Sequence, residues 1–380
     1  MATTATSLYA LNINQAVEAV AAIGNTRTVL IEGDMGSGKS SILWTLAKKF
    51  PNHLPCYFDC TTKDLGDITI PKLLTIEGDE DAGFVRYVTN EELGLHNNRD
   101  IILMIDEYGK ANVQVKNALL RLMLERKLGS YTLTPASFVF ATTNLGGEGV
   151  GDMMLPHQRN RVSVVRMRKP TSVEWIEWGI NNGIDPIILG WCKDNPHLFQ
   201  SFTEIDSPYK DRNNAEPTNP YIYHPQVPMD AFVTPRSLHA ASDIVKLRDK
   251  LDRQTLTSLL IGTIGARGAM DLATFITMAD QLPTQQSIKD DPMTAKVPES
   301  AAAVCMVVHR ALSTIERTWV DAWMDYLLRL DKEAQGMFAN GVRAESYDKA
   351  KRSMVMTSKK FRDWAMANNY LFVKTTHDRA

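Results

Sequence analysis

A chain of 380 residues, 44% hydrophobic and 23% charged, can bury two or three sizeable cores, which excludes a disordered or fibrous polymer. Its net charge of −2 and pI near 6.5 exclude a global basic field drawing it to nucleic acid, leaving only local basic patches. Four cysteines without matched metal spacing (Cys56, Cys60, Cys192, Cys305) suit a reducing compartment. The first fifteen residues lack a basic start and apolar run, and no apolar stretch approaches the roughly 18 residues of a membrane span. A cytoplasmic protein without a membrane segment is expected.

Residues 14–23 carry apolar side chains at helical spacing and stop at Gly24. The apolar run Val29-Leu30-Ile31 then leads into Gly33-x4-Gly38-Lys39-Ser40, and residues 42–47 continue with helical character. Strand, glycine-rich loop and helix in this order form a phosphate cradle: glycines let the backbone N–H groups converge on one anion, and the helix adds its positive end. Gly33, Asp34, Met35, Gly36, Ser37, Gly38, Lys39, Ser40 and Ser41 are therefore the expected contacts for ATP. Lys39 would reach the β- and γ-phosphates, and Ser40 would ligate Mg²⁺.

Residues 54–59 are expected as a second strand. A hairpin is expected within an insert at 62–98, with short strands near 68–70 and 84–88 around the acidic turn 77–81. Ile101 to Ile105 is a continuous apolar run ending in Asp106 and Glu107, the pattern of a strand buried on both faces with carboxylates at its ligand-binding end. Asp106 is the expected Mg²⁺-associated carboxylate and Glu107 the group that orients an attacking water. An amphipathic helix follows at 117–126, a hairpin at 127–136, and a buried strand at 137–143 ending at Asn144, placed to reach the same water or the γ-phosphate. Alternating strands and helices after such a loop predict a parallel sheet with helices on both faces.

After Pro170 the composition changes to helix-like segments with Trp175, Trp178 and Trp191, a loop at about 206–228, and a mostly helical stretch from Pro235 through Ala367. The expected organisation is thus an α/β P-loop NTPase domain at 1–170, a helical region at 171–290 and a helical C-terminal region at 291–380.

The motifs GDMGSGKS, ILMIDE and ATTN in this order resemble those of AAA+ ATPases, and the chain most resembles the MoxR-type branch that includes dynein-related modules. The insert at 68–88 and the stretch KLGSYTLTPASFVFATTN resemble that branch's helix-2 insert and its hairpin before sensor 1. Thr234-Pro235-Arg236-Ser237-Leu238 is similar to its sensor-2 motif, and residues 260–283 resemble its lid. The resemblance spans roughly residues 10–290. It implies an αβα sandwich with a helical lid, ATP hydrolysis with Mg²⁺, and assembly into a ring, a hexamer by family habit. Arg236 would then touch the γ-phosphate within its own subunit. An arginine finger acting on the neighbour's ATP would come from Leu155 to Val162, where Arg161 aligns best and Arg159 is the alternative. The resemblance further implies remodelling of a protein client, often with a von Willebrand A-domain partner.

A DNA-directed machine is the main rival. It needs basic hairpins, whereas the insert is acidic at Glu77, Asp79, Glu80, Asp81, Glu91 and Glu92. Lys127 and the basic residues from Arg159 to Lys169 keep DNA in view as a ligand. A slowly hydrolysing switch is disfavoured by Glu107, and nothing marks the acceptor pocket of a kinase.

Overall fold

The computed structural model describes residues 9–76, 79–145, 159–205, 218–224, 230–279 and 282–368. The chain divides into two compact units, Met1–Lys169 and Pro170–Ala380.

The strands of the first unit are β1 (Val29–Gly33), β2 (Leu54–Asp59), β3 (Thr69–Ile76), β4 (Asp79–Thr89), β5 (Ile101–Asp106), β6 (Lys127–Leu128), β7 (Tyr131–Thr132), β8 (Phe138–Asn144) and β9 (Ser163–Met167). Five of them form one sheet in the order β2-β5-β8-β1-β9, and every neighbouring pair is parallel. The others make two separate hairpins, β3-β4 and β6-β7.

Side-chain alternation along these strands assigns each residue to a face. Val29, Ile31, Ile102, Met104, Phe138 and Phe140 pack under α1 (Ile13–Ile23) and α2 (Ser41–Lys49), against Ala16, Val20, Ile42, Leu43 and Leu46. Leu30, Leu103, Ile105, Val139 and Ala141 pack on the other face against Val115, Leu119, Leu122 and Met123 of α3 (Val113–Glu125). Every residue of β5 is buried, as expected of a strand covered on both sides. The same alternation carries Asp106, Thr142 and Asn144 out along the α2 face, at the C-terminal edge of the sheet.

Three elements differ from the sequence expectation. The strand running into the two acids takes in Asp106 but stops short of Glu107, which turns left-handed at φ 52°. Helix α3 begins at Val113, four residues earlier than its apolar pattern, because the Asn112 side chain caps it by accepting from the Val115 N–H at 2.9 Å. The inserted hairpin is longer than expected, with a register shift between Thr75 and Ile76. Its alternation is weak because neither face is buried: Ile70, Leu73, Phe84, Val85 and Tyr87 are all exposed.

The second unit is helical: α4 (Ser172–Asn181), α5 (Pro186–Asp194), α6 (Phe202–Ile205), α7 (Pro235–Val245), α8 (Arg253–Ala279), α9 (Gln285–Asp290), α10 (Ala301–Thr314), α11 (Val320–Leu327), α12 (Lys332–Arg343), α13 (Lys349–Thr357) and α14 (Lys359–Ala367). Two apolar clusters run through it. One joins Trp175, Trp191, Leu238, Leu260 and Leu272. The other joins Trp319, Trp323, Phe338, Phe361 and Trp364. Most of the loop expected at 206–228 lies outside the described residues.

The expectation that no apolar stretch approaches a membrane span needs correction. Helix α8 is 27 residues long with a window of mean hydropathy 1.4, enough by length and composition alone. Its interior is broken at Gly265, where φ is 79° and a Cβ would lie 2.3 Å from the Ala231 carbonyl oxygen. Leu256, Leu260, Ile264, Leu272, Phe275 and Ile276 belong to the first cluster, so its apolarity serves the core of this unit.

His309 of α10 is 4% exposed and its Nδ1 has no hydrogen-bond partner. Burial, with a lesser contribution from Lys193, depresses its pKa to about 4. The unfolded chain therefore takes up the proton first as pH falls below the ordinary histidine value, and folding stability should drop from there down to about pH 4. A loss of about 2 kcal/mol between pH 7 and pH 5 is expected in urea denaturation, and His309→Leu should flatten that slope.

Candidate active site

The loop between β1 and α2 curls through two glycines that no other residue replaces without strain, Gly36 at φ 67° and Gly38 at φ 95°. Gly33 is tied by packing: a Cβ there would lie 2.9 Å from the Met167 carbonyl oxygen of β9. Asp34, Ser37 and Lys39 are buried, and Met35, Gly36, Gly38 and Ser40 are half-buried. The Lys39 ammonium donates to the Gly33 and Asp34 carbonyl oxygens and to Asn144 Oδ1, each at 2.8 Å. Ser41 starts the helix and turns its hydroxyl back to the Gly38 carbonyl oxygen at 2.7 Å.

Asp106 is 6% exposed and accepts four donors. Tyr57 Oη donates to Oδ2 at 2.8 Å and Ser40 Oγ to the same oxygen at 3.3 Å. The Glu107 N–H donates to Oδ1 at 3.1 Å, and Thr142 Oγ1 donates there as well. A buried carboxylate so surrounded is held in one orientation. Burial, and then the Asp106 carboxylate itself, push the Tyr57 phenol well above its ordinary range, so it stays a donor.

Glu107 sits where the strand has ended and the chain has turned left-handed, a conformation costly for a residue with a Cβ and frequent at functional sites. Its half-exposed carboxylate pairs with Lys110 Nζ at 3.1 Å and accepts from Asn144 Nδ2 at 3.1 and 3.3 Å. The turn beyond it is pressed on β8: a Cβ on Gly109 would fall 2.2 Å from Thr143 Oγ1. Asn144 thus accepts from Lys39 with one end of its amide and donates to Glu107 with the other. The arrangement depends on β8 lying between β5 and β1, which puts Asn144 beside Gly33.

Of the arginines expected at the site, Arg159 and Arg161 lie in the first unit and Arg236 in the second. Arg159 makes a two-pronged ion pair with Glu32, Nη1 to Oε1 at 2.7 Å and Nη2 to Oε2 at 3.1 Å, within its own chain. Arg161 is exposed. The expected finger segment before them, from Leu155 to Gln158, lies outside the described residues. Arg236 belongs to the second unit, exposed in the first turn of α7, whose N-cap Thr234 forms a capping box with Ser237.

Tyr57, Thr142 and Lys110 join the site without having been expected from sequence. Thr142 had a signal, since it lies two residues before Asn144 and shares its face. Tyr57 pairs in register with Met104, so it reaches Asp106 on the diagonal, which only the sheet order discloses.

The cradle, its lysine and the paired acids stand on a parallel sheet between two helical layers. The architecture is an α/β P-loop NTPase fold. A fold comparison matches a chain from Cytophaga hutchinsonii named as a candidate ATPase, with 17% identity over 47% of this chain and a TM-score of 0.34. The match covers 53% of that chain, about half its length, and the likeness is too slight to carry an argument. No family model matches the sequence, and no curated protein matches it.

The residues present fit a nucleoside triphosphate and Mg²⁺. The buried Ser37 Oγ has no partner, as expected of a hydroxyl lining a phosphate cradle. Ser40 and Asp106 offer hard oxygen donors 3.3 Å apart. No group of three or more acidic, histidine or cysteine side chains gathers as a metal cage among the described residues. Few protein ligands and several waters or phosphate oxygens is the coordination Mg²⁺ favours.

Proposed function

We propose that this chain is an Mg²⁺-dependent ATPase of the AAA+ class, closest to the MoxR-type branch, which assembles into a ring and remodels a protein partner. The observation that carries the catalytic part is the amide bridge from Lys39 through Asn144 to Glu107, set beside the Ser40–Asp106 pair. ATP entering the cradle would exchange the neutral oxygens around Lys39 for phosphate oxygens, and that exchange frees one end of Asn144. Glu107 would then hold the attacking water and accept its proton as the bond from the γ-phosphorus to the β–γ bridging oxygen breaks. Mg²⁺, held by Ser40 with Asp106 behind it, would supply charge neutralisation at the β- and γ-oxygens.

The protein-remodelling part is supported by the β3-β4 hairpin, where Leu73 stands opposite Val85 and Pro71 opposite Tyr87, with Leu73, Val85 and Tyr87 from 47% to 72% exposed. Exposed apolar pairs suit a protein surface better than a polyanion. One observation favours DNA: Lys72 lies directly opposite Arg86 on the same hairpin, a paired positive charge that a phosphate could bridge.

The test is the ATPase rate together with the mass in solution, with and without ATP and Mg²⁺, and then with single- or double-stranded DNA. A nucleotide-dependent ring indifferent to DNA supports protein remodelling. Several-fold, salt-sensitive stimulation by DNA replaces it with the DNA-directed reading.

Ring assembly makes a separate prediction. Because Arg159 is paired with Glu32 in its own chain, the exposed Arg161 is the better group to reach a neighbour's γ-phosphate. Arg161→Ala protein mixed into wild type should depress activity beyond dilution, with each variant subunit silencing an adjacent site. A linear loss across the mixing series excludes a shared site.

A further inference from the structure

We propose that Tyr57 is a positioning residue for Mg²⁺: its hydroxyl fixes the Asp106 carboxylate so that one lone pair of Oδ2 is left pointing at the metal's water shell. The proposal rests on the nucleotide site described above. Oδ1 of Asp106 is already engaged by the Glu107 N–H at 3.1 Å and by Thr142 Oγ1. Oδ2 has two acceptor directions, taken by Tyr57 at 2.8 Å and, more loosely, by Ser40 at 3.3 Å. Should Ser40 give up this longer contact on ligating a metal, that direction of Oδ2 would be free to accept from a metal-bound water. Tyr57 keeps the other direction filled and prevents the carboxylate from swinging.

Tyr57 is not needed for packing in the way its neighbours are. On β2, Cys56 and Phe58 are 6% and 0% exposed and enter the core beneath α3, whereas Tyr57 is 42% exposed on the opposite face. Removing its hydroxyl alone, as Tyr57→Phe, leaves the ring and the fold in place.

The experiment is equilibrium binding of a fluorescent ATP analogue to the full chain, first in EDTA and then across a titration of Mg²⁺. In wild type, Mg²⁺ should tighten binding to a plateau. Tyr57→Phe should bind the analogue in EDTA as wild type does, yet need about tenfold more Mg²⁺ to reach half the effect, the scale of one hydrogen bond to a charged group. Substitution of Mn²⁺ for Mg²⁺, followed by its paramagnetic resonance signal, should give the same rightward shift. A variant whose Mg²⁺ requirement equals or falls below that of wild type overturns the proposal. Equal weakening with and without Mg²⁺ also overturns it, since that marks a general structural role. If wild-type binding itself ignores Mg²⁺, the underlying metal-site reading fails, a result the variant does not mimic.

Discussion

Glu107→Gln should bind ATP as tightly as wild type and hydrolyse it about 100- to 10,000-fold more slowly, the range spanned by loss of a positioned general base. Glutamine keeps the shape and can still meet Asn144 and Lys110, but it no longer accepts a proton. The left-handed turn at residue 107 is unaffected, because the backbone N–H still reaches Asp106 Oδ1. Single-turnover hydrolysis on pre-bound nucleotide separates the chemical step from binding. An assembled, ATP-loaded species that persists for the length of the assay is the expected result. Wild-type turnover would remove Glu107 from the role assigned to it.

Lys39→Ala should act one step earlier, on binding. It deletes a buried cation and leaves three oxygens, on Gly33, Asp34 and Asn144, without that donor. Loss of one partner from a buried charged contact typically costs 2–5 kcal/mol or more, so ATP affinity should fall at least about 30-fold by calorimetry. Asn144 loses its anchor in the same variant, so Glu107 should become more mobile even without nucleotide. A variant that binds ATP like wild type would show that the cradle grips phosphate through its backbone N–H groups alone.

The central loop and both acids were legible in the sequence because their chemistry is local: closely spaced glycines, one lysine, and carboxylates after a continuous apolar run. Asn144 was legible for the same reason, at the end of a second such run. Tyr57 was not, since nothing near LPCYFD reports that β2 lies against β5 or that residue 57 faces residue 106 diagonally. The inserted hairpin was seen but shortened, because strand recognition depends on one buried face and this hairpin buries neither. The helical stretch that became α8 was expected without an interruption, since Gly262, Gly265 and Gly268 look alike in its apolar pattern and nothing there shows that Ala231 approaches Gly265 from another segment. Arg159 and Arg161 are nearly adjacent in sequence. Only the position of Glu32 on β1, some 127 residues away, distinguishes them.

The strand order has a consequence for how the chain folds. β1 carries the phosphate loop, yet its strand partners among the described residues are β8 and β9, both more than a hundred residues downstream. β5, with the acids, meets β1 only through β8. During synthesis the first strand emerges with both edges bare and stays so until residue 138 and beyond are available, the condition under which strands pair wrongly with other chains. Closing contacts of such long sequence separation is slow. The nucleotide site should therefore be among the last parts of the first unit to form, arriving in one step when β8 slides between its neighbours. A fragment ending before Phe138 would contain the loop, its lysine and both carboxylates, but not the strand that joins β1 to β5.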